Sequence, residues 1–262
     1  FQGADQLYIE QIIATYPEII VALPPDLKIV FFDALSIIIN SNTRDDPKRE
    51  QLMLLLAPLN AEWEQLMNSF TPDNPELAQL IAIKLFCNAS IASNVKTIYF
   101  DQFMALFPQM MDIYDKYSMY QNSIASDQMP PAAIEANRSF IMAKSSIIGL
   151  IRAFITKTTE VSSCRPCLPP IIQVIITNYG NSHPYTRTPE VLDLISDLFM
   201  KMRDDVSDQL PSILGGIFMP TYQMIETTGD IINDPDFSSF VNFRLPFFNL
   251  LRILVVNFFE QI

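Results

Sequence analysis

Proline placement constrains this chain more than any other feature. The phrases Asp46-Pro47, Asn74-Pro75-Glu76, Thr188-Pro189-Glu190 and Asp234-Pro235-Asp236 read alike: a short oxygen-bearing side chain precedes proline, and in three of them an acid follows. Each part suits the first turn of a helix. The side-chain oxygen accepts from free backbone N–H groups. Proline at the first helical position forfeits no hydrogen bond, and the acid meets the positive end of the helix dipole. After Pro189, Val191, Ile195, Leu198 and Met202 share one face, with Leu192 and Phe199 beside them. Asp193, Ser196, Asp197 and Lys201 fall elsewhere, and Asp197 and Lys201 are spaced as an i,i+4 ion pair. After Pro75, Leu77, Leu80, Ile81, Lys84, Leu85, Asn88 and Ile91 repeat the pattern.

No stretch alternates apolar and polar residues long enough for a sheet. "IIQVIITNY" has strand propensity, but the Pro169-Pro170 lead-in favours a buried helical turn. A second phrase, "LFPQMM", "CLPPII" and "QLPSIL", recurs between the starts. The spacing predicts about ten helices, approximately 5–16, 24–41, 47–70, 75–93, 99–118, 138–158, 167–180, 188–204, 208–227 and 237–261. Similar starts return every ~50 residues, slightly above the ~40–47 of ordinary HEAT units. The expected fold is therefore all-α: a HEAT-type helical-hairpin solenoid, an α-α superhelix of about five repeats. The longest connection is expected from Gln121 to Asn137. Phe1-Gln2-Gly3 reads as the remnant of a cleavable tag, and 4–262 as a single continuous array, a fragment of a longer protein.

Stacked hairpins explain why 49% of residues are hydrophobic and the mean hydropathy is +0.20. The most apolar run, Phe247 to Phe259, is broken by Asn249, Arg252 and Asn257 and is shorter than the ~20 residues a bilayer requires, so no membrane span is expected. A net charge of −12 disfavours nucleic acid and would attract a basic protein partner. Six glycines stand against nineteen prolines, and neither GxGxxG nor GxxxxGK[ST] occurs. Phosphate-cradling loops need such glycines, so no nucleotide cofactor is implied.

Cys164-Arg165-Pro166-Cys167 is the one motif that invites chemistry. As a redox dithiol it lacks the βαβ setting, although Arg165 could lower a thiol pKa. As half a zinc site it would need Cys87 and His183 to complete a Cys₃His set. Cys87 sits mid-helix among apolar neighbours, and His183 lies in the turn "GNSHPYTR". The reading preferred from the residues is that Cys164 and Cys167 are small residues in an inter-hairpin turn. Three cysteines without a secretion signal fit a reducing compartment. A hydrolytic dyad would have to use His183, the only histidine. Asp45-Asp46 and Asp204-Asp205 read as solvated faces, and Glu62 and Glu64 flank Trp63 on different faces of a helix. No catalytic, cofactor or metal residue is assigned. "FSSFVNFRLPFF" reads mainly as core, and Tyr114, Tyr117 and Tyr120 trace a stripe whose hydroxyls are expected to approach solvent.

The stretch from Leu168 to Phe199, "LPPIIQVIITNYGNSHPYTRTPEVLDLISDLF", resembles the exportin-1 family of karyopherin nuclear export receptors. The residues that carry the resemblance are Pro169, Pro170, Tyr179, Pro184, Arg187, Pro189, Glu190, Val191 and Leu192. "PQMMDIYDKYS", "QLPSILGGIFMPTYQMI" and "IINDPDF" extend it in order. The resemblance implies a HEAT-repeat array that binds Ran in its GTP form together with leucine-rich export-signal cargo. It implies shuttling between nucleus and cytoplasm, contact with Phe-Gly nucleoporins and no enzyme activity, since GTP hydrolysis belongs to Ran. The family's export-signal groove lies upstream, so no cargo-binding residue is carried over, and partner-contacting residues stay unassigned. Cys164 and Cys167 are not part of the family's pattern. Alternatives are another HEAT scaffold, importin-like or phosphatase-type, or a zinc or thiol protein using Cys164 and Cys167.

Overall fold

The computed structural model describes the backbone of residues 2–125, 131–227 and 237–258, and side chains within 11–125, 135–226 and 241–258. Among the described residues there is no strand. The helices are α1 (Gln2–Val21), α2 (Pro25–Ser41), α3 (Asp45–Asn68), α4 (Pro75–Val95), α5 (Phe100–Ile124) and α6 (Pro131–Lys157). A 3-10 stretch, Val161–Cys167, leads into α7 (Leu168–Pro170), which continues through a π-helical segment (Ile171–Ile176) into α8 (Thr177–Asn181). Then come α9 (Glu190–Lys201), the short α10 (Arg203–Val206), α11 (Leu210–Thr227) and α12 (Phe237–Phe258). Counting 168–181 as one continuous helix, they form five successive hairpins, and every predicted helix has a counterpart.

The hairpins stack in two rows. Helices α2, α4, α6, α9 and α12 pack side by side in that order. The other row, α1, α3, α5, the 168–181 helix and α11, meets less closely. A stack with one tight row and one splayed row curves toward the tight one. The tight row achieves its approach with small and branched side chains. Ala78, Ile81, Ala82, Leu85, Ile91 and Ala92 of α4 are fully buried, as are Ala143, Ile147, Ile148 and Ile151 of α6. The aromatic rings of Phe103 and Phe154 stack 4.0 Å apart between α5 and α6.

A polar tie joins neighbours along both rows. In the splayed row, the Tyr16 hydroxyl donates to the Leu55 carbonyl (2.5 Å), the side-chain amides of Asn60 and Gln102 pair reciprocally (3.0 and 2.6 Å), and Asn178 Nδ2 donates to Asp115 (2.9 Å). In the tight row, Asn94 donates to Asp33 (2.8 Å), Gln79 to Ser139 (2.9 Å), and Arg152 to Asp193 and Asp197 (3.1 and 2.7 Å). These ties span about one repeat of sequence, so they fix each hairpin on the next.

The helix starts only partly follow the predicted phrases. Asn74 caps α4, its Oδ1 accepting from the N–H groups of Glu76 and Leu77 at 3.0 Å each. Asp46 does not cap α3, because the helix already begins at Asp45 and Pro47 falls within its first turn. The turn before α9 uses backbone instead: the Thr188 carbonyl accepts from Val191 N–H, with no side-chain cap. Asp234-Pro235-Asp236 lies outside the described residues. The second phrase is not one structural feature. Pro108 sits inside α5, whereas Pro169, Pro170 and Pro211 occupy first turns.

Other expectations are corrected. The long connection from Gln121 to Asn137 shrinks to 125–130, since α5 runs to Ile124 and α6 starts at Pro131. Tyr114 and Tyr117 are buried and Tyr120 half-buried, because α6 covers the stripe: Phe140 packs on the rings of Tyr117 and Tyr120. The Asp197–Lys201 pair does not form. The Arg152 guanidinium takes both Asp193 and Asp197 from the neighbouring helix, and Lys201 donates to the Thr158 carbonyl. Leu80 faces solvent although its spacing placed it with the core.

Three segments reach the length and apolarity of a bilayer span, Pro75–Ile124, Glu135–Lys157 and Val241–Phe258, where the sequence argument expected none. Isolated polar groups such as Asn249, Arg252 and Asn257 interrupt an apolar run without lowering the mean hydropathy of an eighteen-residue stretch below a bilayer-like level. In the first two, half or more of the apolar window is buried against other helices (50% and 61%); in the third, 33% is.

Ile151→Ala, at a fully buried position, should cost about 2–5 kcal/mol. Leu245→Ala, 79% exposed, should stay within about 0.5 kcal/mol, both read from urea midpoints. Arg152→Met should destabilise because it strands the Asp197 carboxylate, 9% exposed. Adding Asp197→Asn should recover part of that loss, giving a non-additive double-mutant cycle.

Candidate functional site

The cysteine segment folds as a buried linker. Cys164 and Cys167 lie in the 3-10 stretch before α7, both buried, and both are free thiols, as is Cys87 in the core face of α4. Burial pushes the Cys167 thiol up to about 12, with the neighbouring Cys164 adding to the effect. Burial raises Cys164 to about 11 against a partial offset from Lys201, and raises Cys87 to about 11. A nucleophilic cysteine needs the opposite shift. Arg165 does not supply it, because its guanidinium is paired with the Asp205 carboxylate at 3.0 Å. Among the described residues no three His, Cys, Asp or Glu side chains converge as a metal-ligand group. His183 is half-buried in its turn, its ring stacked on Tyr185 and its backbone N–H donating to Asn122. Of the carboxylates considered, Glu62 pairs with Lys84, Asp45 lies 3.9 Å from Lys48, and Asp205 holds Arg165.

The turn 182–189 is where the structure concentrates its polar contacts. Arg187 donates to the carbonyls of Tyr179 (3.0 Å), Gly180 (3.4 Å) and Pro220 (2.9 Å), tying the turn to α8 and α11. Asn137 of α6 donates to the Tyr185 carbonyl and accepts from Gln121 of α5. Lys144 of α6 donates to the Thr186 carbonyl at 2.9 Å. The Tyr179 hydroxyl meets Thr221 at 2.7 Å. Close approach beneath the turn depends on glycine: a Cβ on Gly180 would lie 2.8 Å from the Gly216 carbonyl oxygen, and one on Gly216 would lie 2.7 Å from Ile176. Tyr179, Arg187, Val191 and Leu192, which carry the family resemblance, are thus packing and clamping residues of the junction between the third, fourth and fifth hairpins.

Two surface grooves open between splayed-row helices. One, of about 500 Å3, lies between α3 and α5, with Leu52, Met53, Leu56, Ala57 and Ile98 forming its apolar lining and Arg49 and Asp101 at charged positions. The other, about 490 Å3, lies between the 168–181 helix and α11 and includes the Arg165–Asp205 pair. The Phe-rich segment contributes to core and surface alike: Phe243 and Phe247 are buried, Phe248 is exposed.

Two residues central to this junction escaped the sequence reading. Lys144 occupies the apolar face of α6, four residues from both Phe140 and Ile148, so its burial was readable from periodicity. Arg152 carried no local signal, because its partners lie 41 and 45 residues away.

Stacked helical hairpins of this kind, with grooves between their helices, define the class of helical-repeat solenoid proteins. The family described as CRM1 C terminal matches residues 102–262. The chain belongs to the exportin-1 family, in its C-terminal region. It is 22% identical over 267 residues to Protein EXPORTIN 1B of Arabidopsis thaliana, covering 99% of this chain and 24% of that protein. It is similarly 22% identical to Exportin-1 of Schizosaccharomyces pombe, again over 99% of this chain and 24% of the relative. Against Exportin-1 of Dictyostelium discoideum it is 25% identical over 236 residues, 87% of this chain and 21% of the relative. The chain thus spans about a quarter of the length of these curated relatives.

The raised thiols give a pH prediction with a definite sign. Between an unfolded value near 9 and the folded values of about 11 and 12, the folded state holds protons that the unfolded state has released. Their contribution to stability is complete below about pH 9 and is lost as pH rises toward 12. In native buffer at pH 8, a thiol-specific disulfide reagent should label Cys87, Cys164 and Cys167 at least tenfold more slowly than in denaturant. Fast labelling of either Cys164 or Cys167 would restore the dithiol reading.

Proposed function

We propose that this chain forms part of the curved wall of a nuclear export receptor, one continuous array without catalytic function. In this reading the whole protein binds Ran in its GTP form cooperatively with leucine-rich export-signal cargo and shuttles between nucleus and cytoplasm. The observation that carries the reading is the family match over 102–262, a span in which Arg187 clamps the end of one hairpin's first helix to the next hairpin. The tight row would face Ran on the concave side. The chain's overall acidic balance of −12 suits a basic partner. The splayed row would be the outer surface, where Phe-Gly segments of nucleoporins would insert between helices. The α3–α5 groove has the apolar lining that a phenyl side chain requires.

The test is a pull-down of the full-length receptor with Ran locked in the GTP state, with and without an export-signal peptide. Cooperative capture is expected, and equal capture of Ran in both conditions would sink the transport reading. For the outer groove, Met53→Glu, at a position 72% exposed, should weaken binding of a Phe-Gly peptide at least fivefold while leaving the melting temperature unchanged. Unaltered peptide affinity would remove that groove from the partner surface.

A further inference from the structure

Lys144 is a buried lysine without a carboxylate. It sits mid-way along α6 with 2% of its surface exposed. Its Nζ donates to the Thr186 carbonyl at 2.9 Å, lies 3.5 Å from the Ser118 hydroxyl and sits over the Tyr114 ring, 5.4 Å from the centroid. All three contacts are neutral. The lysine therefore joins α5, α6 and the 182–189 turn through a carbonyl, a hydroxyl and an aromatic face. A buried ion pair would keep such an amine charged over the whole neutral range; neutral partners do not.

The titratable groups nearest these contacts surround Tyr114. Tyr179 of α8 and Glu190 at the start of α9 both act electrostatically on Tyr114, and Arg187 of the turn lies 5.6 Å from the Tyr179 ring centroid. The turn also carries His183, stacked on Tyr185. No salt bridge joins Lys144 to any of these among the described residues. The same turn is held by a second, uncharged clasp, Gln121 to Asn137 to the Tyr185 carbonyl.

We propose that Lys144 is a proton-operated latch: its neutral amine closes the 182–189 turn onto α5 and α6, and its protonation loosens that junction between the third and fourth hairpins. Neutral, the amine needs only the Thr186 carbonyl as acceptor. Protonated, it carries three donors and a charge with no carboxylate partner at a buried position, and it must draw in water or shift the turn. Burial brings the Lys144 amine down to about 7, so the change falls near neutrality. The sign follows: above about 7 the folded state has released a proton that the unfolded chain retains up to the ordinary lysine range. Stability gained at this site therefore grows as pH rises from about 7 and fades as it falls.

The experiment uses the whole 262-residue chain and two readouts. Lysine side-chain NMR from pH 5.5 to 9 should show one resonance titrating with a midpoint of about 7, absent in Lys144→Met. Hydrogen exchange, corrected for intrinsic rates, should show the amides of Thr186 and Arg187, which bond within the turn to His183 and Pro184, losing protection at least fivefold as pH falls through the same midpoint. In Lys144→Met that protection should be flat. If Lys144→Met fails to fold, Ser118→Ala, which removes one acceptor from the charged form, should lower both midpoints together. A lysine that titrates only near its ordinary value overturns the proposal. So does turn protection that is pH-independent in the wild type, equally pH-dependent in Lys144→Met, or unlinked from the lysine midpoint in Ser118→Ala.

Discussion

A helix of the tight row has neighbours on two sides, and that requirement governs the rest of the molecule. Helix α4 must be apolar toward α2 and also toward α6, so Ala78, Ile81, Ala82, Leu85, Cys87, Ile91 and Ala92 leave only a narrow strip for polar groups. The segment that contains α4 reaches bilayer-like hydropathy while half of its most apolar window is buried inside the protein. Tight-row helices also force the few polar side chains they keep to find partners on the next hairpin. Asn94 reaches Asp33, Gln79 reaches Ser139, and Arg152 reaches Asp193 and Asp197. These bonds add register to a packing that apolar surface alone would leave free to slide.

The family signature acquires a physical meaning from the same geometry. Between α8 and α9 the chain must reverse within a few residues while three hairpins converge on it. Backbone carbonyls exposed by the turn are taken up by Arg187, Asn137 and Lys144, which satisfies groups that would otherwise be buried without partners. Gly180 and Gly216 permit the close crossing below, and the Tyr179 hydroxyl is used by Thr221.

Much of the fold was legible in the chain. Asn74-Pro75-Glu76 forms the cap its chemistry promised, and the apolar period after Pro189 is buried as expected. What failed were inferences that treated each helix in isolation. Asp197 and Lys201 are correctly spaced to pair, yet each finds a better partner on another element. Tyr114 and Tyr117 looked amphipathic until α6 covered them. The cysteines drew attention by their spacing, but whether a thiol is reactive depends on burial and neighbouring charge, and spacing reports neither. The grooves were not legible at all, since they arise from how far apart two helices stand.

The unequal rows carry a mechanical consequence. In the splayed row, neighbours α3 and α5 are linked by amide pairs such as Asn60–Gln102 and by Trp63 donating to Gln109 at 2.6 Å. Water can replace such bonds at little enthalpic cost. In the tight row the polar ties of Asn94, Gln79 and Arg152 accompany interlocked hydrocarbon, and separating those helices also exposes apolar surface. The array therefore resembles a leaf spring with a stiff inner leaf and a soft outer one. It can tighten or relax its curvature by breathing along the outer edge while its inner edge keeps nearly constant length.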